Sequence, residues 1–88
     1  MSKKVTVVIP CYNQGIFLMD ALKSLQTCDN NLFDLIIVND GSIEKETKVI
    51  LKRLSDEGFN VFNQENKRLG EARNTGIRLS KTDYVLPL

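Results

Sequence analysis

The sequence predicts an α/β domain: a Rossmann-like parallel sheet whose elements follow the order β-α-β-α-β-α-β. Three observations lead there. Short β-branched and aliphatic runs alternate with segments of helical periodicity along the 88 residues. The apolar run Leu35-Ile36-Ile37-Val38 is continuous rather than alternating, as in strands buried on both faces of a parallel sheet. Each strand but the last is followed by turn or polar residues and then by a helical pattern, so successive strands are joined by helical crossovers, which are right-handed. The length allows one small domain.

The first strand is Lys4 to Pro10, a Val-Thr-Val-Val-Ile run stopped by proline. Residues 15 to 28 form the first helix, with Leu18, Ala21, Leu22 and Leu25 at i, i+3, i+4 and i+7. Asp29-Asn30-Asn31 is the loop that follows. The second strand is Phe33 to Asn39, closed by the turn residues Asp40-Gly41-Ser42. The second helix runs over roughly 44 to 57, with Thr47, Ile50, Leu51 and Leu54 on one face and Gly58 as its stop. Phe59 to Asn63 is a third, shorter strand, and Gln64 to Arg68 a polar loop. In the third helix Leu69, Ala72, Gly76 and Leu79 share a face, and Gly70 and Gly76 permit close packing on the sheet. Asp83 to Leu88 begins a fourth strand. It is apolar to its last residue, so we expect the domain to continue past Leu88.

Composition removes several functions. Hydrophobic residues make up 42% and charged residues 26%, with a formal net charge of +1. Electrostatics therefore gives no reason for a nucleic-acid partner. There is no histidine, and Cys11 and Cys28 are the only cysteines. A Ser-His-Asp or Cys-His arrangement is impossible within the chain, and a Cys/His zinc site is disfavoured. The longest apolar stretch, Val5 to Pro10, is too short to span a bilayer and reads as a strand rather than a signal peptide. Two cysteines without secretory features point to a reducing, cytoplasmic setting, where both serve as small buried residues.

In open parallel sheets, ligands bind outside the carboxyl ends of the strands. That rule gathers Pro10-Cys11-Tyr12-Asn13-Gln14-Gly15, Asn39-Asp40-Gly41-Ser42 and Asn66-Lys67-Arg68 at one rim, with Arg73 and Asn74 early in the third helix. A ring can stack on a base, a carboxylate can accept from base or ribose donors, and an arginine fork suits phosphate. Together they fit a nucleotide diphosphate. Taken singly, Tyr12 also reads as a half-buried loop aromatic, Asp40 as a turn former, and Arg73 as a solvated helix charge. Lys67 and Arg68 read first as solvated loop charges. A dinucleotide fold would need Gly-x-Gly-x-x-Gly after the first strand, and that loop holds one glycine; a Walker loop is absent too.

The same residues carry a resemblance. Val7-Val8-Ile9-Pro10-Cys11-Tyr12-Asn13, Leu35-Ile36-Ile37-Val38-Asn39-Asp40-Gly41-Ser42, the segment from Asn66 to Gly76 with its Ala72-Arg73-Asn74-Thr75-Gly76 ending, and Asp83-Tyr84-Val85-Leu86-Pro87-Leu88 resemble, in order, four signatures of family 2 glycosyltransferases of the GT-A fold. The resemblance implies an incomplete GT-A domain: a donor-binding half, inactive alone, of an enzyme that transfers a sugar from a nucleotide diphospho-sugar, a UDP-sugar above all, to an acceptor hydroxyl with inversion. It implies nucleotide contacts from Pro10, Tyr12, Asn13, Asp40 and Arg73, with Arg68 as a further phosphate contact where the family often has glycine. Asn66 and Asn74 support the loop and helix. Asn39 replaces a frequent aspartate. The Asp-x-Asp metal motif, which binds Mn2+ or Mg2+, is expected just after Leu88, and the catalytic base lies further on; no metal or catalytic residue is expected within the chain. The acceptor is a saccharide, lipid or protein, as in cell-envelope polysaccharide synthesis, and the complete enzyme is expected in the cytoplasm or against the inner face of the membrane. The other readings are a nucleotide-binding module without catalysis and a remnant that self-associates through its exposed sheet edge.

Overall fold

The computed structural model describes residues 5–25, 33–65, 71–82 and 84–87; for Glu71, Arg73 and Pro87 it describes the backbone alone. Strands β1 (Val5–Cys11), β2 (Phe33–Asp40), β3 (Asn60–Gln64) and β4 (Tyr84–Pro87) alternate with helices α1 (Gly15–Leu25), α2 (Lys45–Asp56) and α3 (Glu71–Leu79). All strand pairings are parallel, and the sheet order is β3-β2-β1-β4. The chain steps outward from β1 to β2 to β3, then returns through α3 to lay β4 on the other side of β1. Strand order thus reverses beside β1, which makes its carboxyl end the rim at which such sheets bind ligands.

Burial explains why β1 and β2 are central. Val7, Ile9 and Cys11 of β1 and Ile37 of β2 pack with Leu18 and Leu22 of α1 and Leu51 and Leu54 of α2. Val8 of β1 and Ile36 and Val38 of β2 face the other way, onto Ala72 of α3. Successive residues therefore bury into two separate clusters, which is what a continuous apolar run demands. The helical faces of α1 and α2 are those expected, with Leu18, Leu22, Thr47, Leu51 and Leu54 buried.

α2 stops at Gly58 through two bonds. Phe59 N–H donates to the carbonyl of Leu54 and Gly58 N–H to that of Ser55, with Gly58 at φ +100°. This is a Schellman ending, and Phe59 joins the core beside Leu54 as its hydrophobic partner. Phe59 therefore belongs to the cap, and β3 runs one residue later than expected, from Asn60 to Gln64. Gln64, expected in the loop, closes the strand opposite Asp40.

α3 is narrower than expected. Ala72, Thr75 and Gly76 face the sheet, whereas Leu79 stays 39% exposed. Among the described residues β3 is an edge strand, and Leu79 lines an open cavity of about 250 Å³ with Phe62 and Arg78, with no described element beyond to cover it. Gly76 is required by proximity: a Cβ there would sit 2.2 Å from Val8 Cγ1. Cys28, Leu69 and Gly70 lie outside the described residues.

Candidate nucleotide-binding rim

The rim is assembled from the loops after β1 and β2, and hydrogen bonds tie the two together. Asn13 adopts φ +53°, a conformation asparagine tolerates better than most residues. Its backbone N–H donates to Ser42 Oγ at 3.0 Å, and its side-chain Oδ1 accepts the N–H groups of Ile43 and Glu44, both at 2.8 Å. Ser42 N–H in turn donates to Asn39 Oδ1 at 3.0 Å, a local turn of the kind asparagine forms. The N–H groups that lead into α2 are thus met by Asn13 and Asn39. Two residues after Asn13, Gly15 N–H donates to Thr47 Oγ1 at 3.1 Å, and that hydroxyl donates to Glu44 Oε1 at 2.7 Å. A Cβ at Gly15 would fall 2.8 Å from Ile50 Cδ1 and 3.1 Å from Thr47 Cα. The start of α1 is therefore seated directly on the first turns of α2.

On this platform Tyr12 stands 44% exposed, immediately after the last β1 residue, while Pro10 is half-buried within the strand. The register pairs Cys11 with Asn39, so Tyr12 and Asp40 occupy the next positions on neighbouring strands. Asp40 is only 8% exposed, and its Oδ1 accepts from Gln64 Nε2 at 2.8 Å. Asn39 Nδ2 donates to Asn63 Oδ1 at 2.9 Å one rung earlier. Beneath the rim, burial pushes the Cys11 thiol above its ordinary pKa, and Glu44 adds to this; hydrogen bonds with the Gln14 backbone and the Ser42 side chain oppose it. Cys11 is accordingly a neutral core residue.

The structure thus brings Pro10, Tyr12, Asn13 and Asp40 together. Arg73 lies in the first turn of α3, which enters from the same rim because it follows β3. Arg68 and Asn66 lie outside the described residues, and Asn74 is exposed on α3. Gln64 is the rim residue that sequence reasoning missed: it looked like a polar loop residue, and only its register with Asp40 reveals it. Among the described residues no three His, Cys, Asp or Glu side chains group to hold a metal ion. The rim's buried carboxylate, Asp40, is already engaged by an amide donor. What the rim offers is an exposed ring beside a buried acceptor, suited to one face and one edge of a nucleobase.

Residues 6–88 match the family model of Glycosyl transferase family 2. The chain is 37% identical over 94% of its length to a poly(ribitol-phosphate) β-N-acetylglucosaminyltransferase, TarP, of Staphylococcus aureus, and spans 27% of that protein. It is 33% identical over 97% of its length to the glycosyltransferase GlyG of Streptococcus pneumoniae, spanning 29% of it. A mannosyltransferase from Pyrobaculum calidifontis, solved with GDP-Man and Mn2+, shares the fold over 92% of this chain and 25% of its own, with a TM-score of 0.67 at 22% identity. The chain accordingly corresponds to less than a third of each of these proteins, and its parallel α/β sheet is that of a GT-A domain. With the family model matched over nearly its whole length, this chain belongs to glycosyl transferase family 2.

Proposed function

We propose that this chain forms the donor-nucleotide site of an inverting glycosyltransferase that uses a UDP-sugar. The observation that carries the reading is the pairing of an exposed ring, Tyr12, with a buried, amide-oriented carboxylate, Asp40, at adjacent strand ends beside the switch in strand order. Uracil presents one flat face for stacking and one N–H donor on its pairing edge, and Tyr12 and Asp40 match these in turn. Pro10 and Asn13 flank Tyr12 at the same strand end, and Arg73 and Arg68 are assigned to the diphosphate on the family resemblance. The chain's own residues bind and orient the donor. A divalent cation, as in the mannosyltransferase solved with Mn2+, would neutralise the departing diphosphate. The similarity to a poly(ribitol-phosphate) transferase supports a polymer as acceptor. No helix among the described residues is long and apolar enough to cross a membrane.

Calorimetric titration with UDP tests the site. Asp40→Ala is expected to weaken binding by about 2 kcal/mol, the loss of a hydrogen bond to a charged group. Tyr12→Ala should cost about 1–3 kcal/mol through lost stacking. Unchanged UDP affinity in both variants would sink the assignment. A second reading, self-association through the sheet edge, draws on the exposure of Tyr84 and Leu86 on β4.

A further inference from the structure

Behind the rim, the end of β2 is joined to α3 through the end of β3. Gln64 Nε2 donates to Asp40 Oδ1 at 2.8 Å, Thr75 Oγ1 donates to Gln64 Oε1 at 2.6 Å, and Arg78 Nη2 donates to Thr75 Oγ1 at 3.2 Å. The polarity of this chain of bonds is forced. A carboxylate only accepts, so the amide of Gln64 must turn its nitrogen to Asp40. Its oxygen then faces Thr75, whose hydroxyl must donate. The lone pairs of that hydroxyl accept from the guanidinium of Arg78, which can only donate. Each member holds the next in a single orientation, and Thr75, buried in α3, anchors the run to the sheet-facing side of the helix. Arg73 stands two residues before Thr75 on that helix, so the same bonds tie the helix that carries the cation to the strand end that carries the carboxylate.

We propose that Gln64, held by Thr75 and Arg78, is the positioning residue that fixes the Asp40 carboxylate at the nucleotide rim. This rests on the reading of Asp40 as the acceptor for the nucleobase. Gln64 itself need not touch the nucleotide. It removes the rotational freedom of the carboxylate before the ligand arrives, so that less ordering is left to oppose binding.

The forced polarity supplies a test by exchange, with UDP as the probe in calorimetric titration of the protein. Gln64→Glu places two carboxylates against each other and is expected to weaken UDP binding by about tenfold or more. In Asp40→Asn, the Gln64 nitrogen still demands an acceptor, so the new amide turns its own nitrogen to the ligand side, and UDP binding falls by a similar factor. In the double variant D40N/Q64E the roles exchange. The amide at position 40 donates to the carboxylate at position 64, which still accepts from Thr75, and an oxygen again faces the ligand. The double variant should bind UDP more tightly than either single one. A double variant no tighter than the tighter-binding single one, or wild-type affinity in Gln64→Glu, overturns the proposal. Wild-type affinity in Asp40→Asn and Asp40→Ala instead overturns the underlying reading of Asp40. Should the exchanged pair fail to fold, Thr75→Ser and Thr75→Val decide. The serine keeps the hydroxyl and should retain affinity while the valine loses several-fold, and equal affinities would overturn the positioning role.

Discussion

Asn13 shows how much of the rim depends on one side chain. It supplies a left-handed backbone position and an acceptor for two N–H groups of the neighbouring loop. Asn13→Ala loses both and is expected to cost about 1–2 kcal/mol in urea denaturation, of which the cap is roughly half. Asn13→Gly should recover the backbone part alone, which separates the two causes. Cys11 gives a pH signature. Burial raises its pKa in the folded chain, so as pH climbs the unfolded chain loses its thiol proton first. The stability tied to the neutral thiol is therefore complete below the ordinary thiol range and is lost as pH rises through the higher folded value. Denaturation curves at alkaline pH should fall more steeply for the wild type than for Cys11→Ala. Equal slopes would show that burial leaves the thiol unshifted.

At the scale of elements, the contact between α3 and β1 is the tightest constraint. Gly76 lets the helix approach until no space remains for a methyl group above the fully buried Val8. Gly76→Ala would gain up to about 1 kcal/mol of helix propensity, but overpacking should outweigh this and leave the chain about 1–3 kcal/mol less stable. Val8→Ala in the same chain should recover part of the loss, and additive losses in the pair would show that the two sites do not meet. The periodicity of α1 and α2 was fully legible, because each covers the sheet along its length. That of α3 was legible only in part. Its inward face is set by Ala72, Thr75 and Gly76, small residues with little hydrophobic signal, while Leu79 overhangs an edge strand.

At the scale of the molecule, the sheet is covered unevenly. α1 and α2 cover one face of β1 and β2, and α3 the other, but β4 presents Tyr84 and Leu86 to solvent at 68% and 53% exposure. They stand opposite Val5 and Val7, on the face that α1 covers only over β1. An apolar edge strand of this kind is a template for pairing. Light scattering at rising concentration should show association of the 88-residue chain, and Leu86→Lys should reduce it; a strict monomer in both would remove the self-association reading.

The sequence by itself determined the number, kind and order of the elements. It also identified the parallel character of the sheet and four of the rim positions that the structure brings together: Pro10, Tyr12, Asn13 and Asp40. These follow from local patterns: a continuous apolar run, helical spacing, and turn chemistry at strand ends. Tertiary structure alone decided that β4 lies beside β1, that Asn13 spends its oxygen on the neighbouring loop, and that Gln64 grips Asp40. Each of these depends on which residues meet across strands far apart in the chain. That register is fixed by the burial of both faces of β1 and β2 at once, a condition no single segment expresses.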